Sequence, residues 1–141
     1  MKKTNNKGFN LVELIIVIAI MVILVAVIAP QYLKYVRNSR IATDVQTGAD
    51  IATAINVAIA DETLNEEKTD VDVTSLSVSN LSSSITSRLF GDDAEWDVTY
   101  NLSDGVTKLT LDDGNGNEYE VYPNPDSTDS TLPGLNSLKS N

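Results

Sequence analysis

The chain has 141 residues, and its 20 Asp and Glu against 10 Lys and Arg give a formal net charge of −10. This length supports one modest domain, and the acidic excess argues against direct nucleic-acid binding because it repels phosphate. The sequence contains neither histidine nor cysteine, which excludes the Ser-His-Asp triad, thiol nucleophiles, the usual zinc, haem and iron–sulfur ligands, and disulfides. We therefore predict no cofactor and no enzymatic activity.

The first predicted element is an apolar helix that covers residues 9–29. Nineteen of these 21 residues are apolar, Asn10 and Glu13 are the exceptions, and no glycine or proline occurs before Pro30. A helix of this length reaches about 30 Å, which is enough to cross a bilayer. The segment is therefore a candidate membrane span.

Two ordinary interpretations of this span are a cleaved secretory signal and a plain membrane anchor. The run is too long for the apolar core of a secretory signal, and no small-residue cleavage pattern follows it. A plain anchor does not need Glu13, because a carboxylate within an apolar span costs up to about 2–3 kcal/mol. Charge does not orient an anchor either, since three basic residues lie before the span and three follow it within residues 34–40.

A cut between Gly8 and Phe9 would supply the partner that Glu13 lacks. It would create a positively charged amine four residues before Glu13, within reach of the same carboxylate in a neighbouring copy. The cut would also remove three lysines and leave 7 basic against 20 acidic side chains. The membrane segment would then lose its basic anchor.

The segment K-G-F-N-L-V-E-L-I at residues 7–15, followed by the apolar run and Pro30, resembles the class III signal of type IV pilins. Phe9 as the new terminus after a short leader is similar to the type IVa branch. The resemblance covers about residues 7–35. It implies that prepilin peptidase cuts between Gly8 and Phe9 and N-methylates Phe9, that Glu13 is the assembly carboxylate, and that Pro30 kinks the helix.

Two residues depart from the pattern of that family. Asn10 stands where threonine is most common, and Val22 stands where many relatives have a helix-weakening glycine. Without that glycine, it stays open whether the helix unwinds between Val22 and Pro30 on assembly.

Beyond Pro30 the helical pattern continues with one apolar stripe. Asp44 and the other charged residues of this segment are predicted to lie off the stripe. The stripe has spacings of three and four and consists of Ile41, Val45, Ala49, Ala52, Ile55 and Ile59. The stripe predicts that this half of the helix packs against the rest of the domain.

The remainder predicts an acidic exposed loop at 61–72, a short helix from Leu81 to Leu89 ended by Gly91, an antiparallel sheet, and an irregular tail from Pro123. Three strands are indicated by alternating apolar residues at 96–102, 109–111 and 119–121. The expected fold class is therefore α+β and type IV pilin-like, with the C-terminal half of the long helix packed on a small antiparallel sheet.

The turn from Asp112 to Glu118 is rich in oxygen ligands. It fails the EF-hand spacing, because Glu118 stands where glycine is required when the count starts at Asp113. Glycine and asparagine are also the residues of tight hairpin turns. We predict a plain turn and no metal, with calcium as the alternative.

Together these elements predict a leader peptide at 1–8, a hydrophobic transmembrane or filament-core helix at 9–29, its amphipathic half at 30–60, and a loop, sheet and tail at 61–141. The resemblance implies a major pilin for adhesion, twitching motility or surface colonisation. A minor pilin, a secretion-system pseudopilin and a plain membrane-anchored binding domain remain alternatives.

The resemblance also implies partners and a location. The partners of the chain would be further copies of itself in a helical filament, prepilin peptidase and the pilus assembly machinery. The chain would cross the inner membrane once before assembly and lie in an extracellular pilus afterwards.

Overall fold

The computed structural model describes residues 8–79, 81 and 85–139. Within these ranges one helix precedes an antiparallel sheet, which confirms the predicted α+β class. The elements are α1 (Leu11–Ala60), β1 (Lys68–Asp72), β2 (Glu95–Asn101), β3 (Gly105–Asp112) and β4 (Glu118–Tyr122), with short 3-10 helices at Val73–Ser75 and Leu135–Leu138.

The chain divides into two compact units, and the boundary between them falls within α1, after Tyr35 and before Val36. The described part of the first unit, residues 8–35, exposes almost every large apolar side chain it carries, and Phe9 is 83% exposed. The second unit has a hydrophobic core of its own.

The sheet of the second unit is an antiparallel meander in the order β1-β2-β3-β4. It has four strands where three were predicted, because residues 68–72 pair with β2 instead of continuing the acidic loop. Val71 is the sole apolar residue of β1, so this strand lacks the alternation that marks a half-buried strand in a sequence. Charged side chains are typical of such edge strands.

One face of the sheet packs on the C-terminal half of α1, as the stripe predicted. The strands contribute alternate buried residues, such as Trp96, Val98 and Tyr100 in β2, to a single core. The helix contributes Ile41, Ile51, Ala52 and Ile55. This packing buries the apolar faces of both elements and supplies the main stabilisation of the unit.

The buried face of α1 includes four residues outside the predicted stripe, which are Asp44, Gly48, Ile51 and Ala58. Asp44, expected off the stripe, is fully buried, and Gly48 rather than Ala49 lies against the sheet. A Cβ at Gly48 would overlap Val121 and press on Leu109. Glycine at this position therefore permits the close approach of helix and sheet. The predicted stripe was based on apolar side chains, so it did not include a glycine.

The predicted helix from Leu81 to Leu89 is wrong for the described residues 85–91. They form a turn with a bridge between Ser87 and Gly91, and Gly91 has a φ of +86°. The Ser87 hydroxyl accepts the Leu89 and Phe90 N–H groups at 3.2 and 3.0 Å. Such local bonds compete with a helix. Residues 80 and 82–84 lie outside the described part.

The segment that follows β4 is largely irregular but is bound to the edge of the sheet. The Glu120 N–H donates to the Pro133 carbonyl at 2.9 Å, and the Asn136 N–H donates to the Pro125 carbonyl at 2.8 Å. Leu135 is fully buried in the core. Hydrogen bonds and one buried leucine thus order the tail without a disulfide.

Candidate functional site

The candidate processing site lies immediately before α1. Gly8 and Phe9 are in irregular, exposed backbone, and an added Cβ at Gly8 would meet no atom within 4 Å. The bond between these residues therefore lies outside any helix, and the Phe9 ring is largely exposed. A peptide bond in this setting is open to a peptidase.

The first turn of α1 is closed by two hydrogen bonds of Asn10, one to the Glu13 carboxylate and one from the Val12 N–H. The Asn10 N–H donates to Glu13 Oε2 at 3.0 Å, and the Val12 N–H donates to Asn10 Oδ1 at 3.4 Å. Asn10 is thus the N-cap and Glu13 the third helical residue, as in a capping box. Sequence reasoning missed this role for Asn10, although the spacing Asn-x-x-Glu carries the signal.

The capping box gives Glu13 a structural role that needs no second chain. Its carboxylate lies in the first helical turn, where negative charge interacts favourably with the helix dipole, and it is exposed. A pairing of Glu13 with the Phe9 amine of another copy would have to exchange or share the bond to the Asn10 N–H. The carboxylate has lone pairs for such sharing, since each of its oxygens has two and Oε2 accepts the Asn10 N–H.

The apolar part of α1 presents its side chains outward in all directions. The large apolar residues from Leu11 to Ile28 are between 46% and 71% exposed. By length and composition this helix is a candidate membrane span. Each such side chain gains about 1.5–3 kcal/mol on full burial, so this surface would be strongly stabilised by lipid or by packing against other helices.

Pro30 lies inside α1, and the helix continues on both sides of it. Proline has no N–H and cannot complete the bond to the carbonyl four residues earlier. The predicted kink at Pro30 stays a prediction.

In the turn after β3, the carboxylate oxygens of Asp113 accept hydrogen bonds from other residues of the same turn. The Asp113 carboxylate accepts the N–H groups of Asn115 and Asn117 and the Asn117 side-chain amide at 2.8 to 3.1 Å. The Asn117 amide, followed by these backbone bonds, lowers the pKa of Asp113. Within the described residues, no three Asp or Glu converge as metal ligands would. The hydrogen bonds favour the plain turn.

Comparison with known proteins assigns the N-terminal segment. A family model described as the prokaryotic N-terminal methylation motif matches residues 3–29. Prepilin peptidase-dependent protein A of Clostridium perfringens (strain 13 / Type A) is 36% identical over 75 residues, which are 52% of this chain and 53% of that protein. The type IV major fimbrial protein FimA of Dichelobacter nodosus is 39% identical over 59 residues, 42% of this chain and 38% of that protein.

The chain therefore spans about half of the first relative and less than half of the second. No solved structure matches it. The chain therefore carries the prokaryotic N-terminal methylation motif, in agreement with the resemblance recognised from the residues, and it is similar over part of its length to proteins named as type IV fimbrial and prepilin peptidase-dependent proteins.

Proposed function

We propose that the chain is the major structural subunit of a type IV pilus. The observation that carries the proposal is the exposed apolar half of α1, which has Glu13 in its first turn and follows an exposed Gly8–Phe9 bond. The similarity to proteins named type IV major fimbrial protein and prepilin peptidase-dependent protein supports it.

The first step would be processing by prepilin peptidase at the membrane. Hydrolysis adds one water across the Gly8–Phe9 amide, so that Gly8 receives the new carboxylate and Phe9 the new amine. That amine is protonated at neutral pH, and the family resemblance implies that it is then N-methylated. Removal of residues 1–8 also removes Lys2, Lys3 and Lys7, which weakens attachment to the cytoplasmic face of the membrane.

The second step would be polymerisation through α1. The apolar half would leave the lipid and pack against the same segment of other copies, with Glu13 of one copy meeting the Phe9 amine of another. A contact of this head-to-tail type repeats without closing and produces a helical filament. The subunit would thus move from a single-pass position in the inner membrane to an extracellular pilus that serves adhesion, motility or colonisation.

A minor pilin or pseudopilin would share the processing step and differ in abundance. The second relative carries the name of a major fimbrial protein, whereas the name of the first states only its dependence on prepilin peptidase. The amount of the chain in surface filaments separates these two functions.

The test is intact-mass and N-terminal peptide analysis of material sheared from cells that express the chain. We expect the main species to begin at N-methylated Phe9 and to be the most abundant filament protein. Gly8→Leu should keep the full-length precursor in the membrane, while Gly8→Ala, which stays small, should still be cut. Full-length protein in the membrane and none in the sheared fraction would return the chain to the class of plain anchored domains.

A further inference from the structure

An open cavity of about 360 Å³ lies on the second unit, between α1 and the turn that precedes β2. One wall comes from α1 and the other from residues 86–88. Its lining is entirely polar and consists of Ser39, Arg40, Thr43, Thr86, Ser87 and Arg88. Two of the ten basic residues of an acidic chain thus share one small space.

The carboxylate that is nearest in sequence to the lining residues of α1 already accepts hydrogen bonds through both of its oxygens. Asp44 is fully buried and follows the lining residue Thr43. Its Oδ1 accepts the Arg88 N–H at 2.7 Å, and its Oδ2 accepts the Ser87 hydroxyl at 2.7 Å and the Leu89 N–H at 2.9 Å. Asp44 therefore fixes the backbone of the turn and does not serve as a counter-ion for a guanidinium.

Arg40 and Arg88 form no ion pair with any residue in the described part of the chain. Both side chains are exposed, and each is held at its base, Arg40 by the helix and Arg88 by the bond from its N–H to Asp44. Two like charges beside one cavity repel each other. An anion placed between them would remove this repulsion.

The donors at this cavity suit a tetrahedral oxyanion. A guanidinium presents a planar fork of N–H groups that binds phosphate with two parallel hydrogen bonds. Ser39 and Thr86 line the cavity from opposite walls, and a hydroxyl of either residue can donate to an anion. A phosphate has four oxygens to accept from both walls at once, whereas a carboxylate has two.

We propose that the cavity between Arg40 and Arg88 binds a phosphate group. Two sources share this chemistry, free phosphate and the headgroup of an anionic phospholipid. Arg40 lies ten residues after Pro30 in the sequence, so it follows the candidate span closely enough for the second source. The proposal goes beyond filament assembly and holds for an unassembled subunit.

The test uses the full chain in detergent micelles, with inorganic phosphate as the first probe and NMR shifts of the arginine Nε–H groups as the readout. Saturable shifts at Arg40 and Arg88 are expected. The double variant Arg40→Gln/Arg88→Gln should lose at least tenfold in phosphate affinity. Arg37→Gln removes one positive charge from the same stretch of α1 without touching the cavity, and should change affinity less than twofold.

The source is identified with the same variants in nanodiscs of phosphatidylglycerol or phosphatidylcholine. Arginine shifts that appear only with phosphatidylglycerol and are displaced by phosphate assign the site to a lipid headgroup. Shifts that require added phosphate in both discs assign it to free phosphate. The proposal is overturned if the chain shows no saturable shift in any of these conditions, or if Arg37→Gln weakens binding as much as the double variant.

Discussion

Asp44 joins α1 to the turn at residues 87–89, and it is the one charged side chain that α1 buries among the described residues. A buried carboxylate is costly unless hydrogen bonds satisfy it. Here a hydroxyl and two backbone N–H groups do so at 2.7 to 2.9 Å. The carboxylate thus accepts backbone N–H groups that would donate to backbone carbonyls if this turn were a helix.

Asp44→Ala should therefore lower the free energy of unfolding by about 2–3 kcal/mol, because it leaves donors without their acceptor in a partly buried turn. The comparison is Asp50→Ala, which removes a carboxylate from the exposed side of the same helix, where it accepts one bond from Gln46. That change should stay within about 0.5 kcal/mol. Denaturant unfolding of the full chain, followed by the fluorescence of the buried Trp96, measures both. Equal effects would contradict the role of Asp44.

At the scale of single residues, the roles of Gly8, Phe9 and Glu13 in processing and assembly stay predictions, and the sequence analysis missed the hydrogen bond between Glu13 and Asn10. Glu13 stands out because it is a charge in an apolar run. Its bond with Asn10 has a local pattern that a sequence displays. Asp44 and Gly48 have none, since their roles depend on a turn and a strand that are more than 40 and 60 residues away, respectively.

Among the elements, the sheet has one apolar and one acidic face. The outward residues pair across the strands, so that Asp72 faces Asp97 and Glu95 faces Asp112, which in turn faces Glu118. Like charges directly opposite each other destabilise a sheet. Lys108 relieves part of this repulsion through its contact with Asp70 at 3.9 Å.

Asp97 lies at the centre of this acidic face, and its pKa is raised, so its contribution to stability depends on pH. Burial is the largest cause, followed by the carboxylates of Asp70, Asp72, Glu95 and Glu118. Because the folded state then binds its proton more tightly than the unfolded state does, the Asp97 contribution to stability falls as pH rises from about 4 through the folded pKa.

Asp97→Asn should therefore stabilise the chain at pH 7 and lose this advantage near pH 3, where both states of the wild type are largely protonated at this position. Denaturant midpoints of variant and wild type at the two values of pH give the comparison. Asp50→Asn serves as the control on an exposed part of α1 and should show little difference at either pH. A constant difference for Asp97→Asn across the range would exclude titration of this carboxyl as the cause.

The elements that sequence patterns predicted well are those that bury a regular apolar face. The helix and the strands β2, β3 and β4 have such faces, with periods near 3.6 and 2. β1 has one apolar residue, and the turn at 85–91 has an apolar spacing of four that its serine overrides. Both departures arise where backbone pairing or a side-chain hydrogen bond, rather than burial, determines the conformation.

For the molecule as a whole, the open question is what Glu13 does beyond closing the first turn of α1. Loss of the capping bond alone costs roughly 1 kcal/mol of helix stability, which is small beside the burial of an apolar helix. If assembly needs the charge of Glu13 to pair with the Phe9 amine of another copy, then removing the charge alone should impair assembly even when the capping bond is kept.

Glu13→Ala removes both the charge and the cap, whereas Glu13→Gln keeps an oxygen that can accept the Asn10 N–H and removes the charge alone. We expect both variants to be cut at Gly8, because the exposed bond lies outside the helix, and both to reduce sheared filament protein at least tenfold. Mass analysis of the membrane fraction measures cleavage, and immunoblots of the sheared fraction measure assembly. Wild-type filament levels from Glu13→Gln, with losses from Glu13→Ala, would assign Glu13 to the capping box and remove the charge pairing from the mechanism.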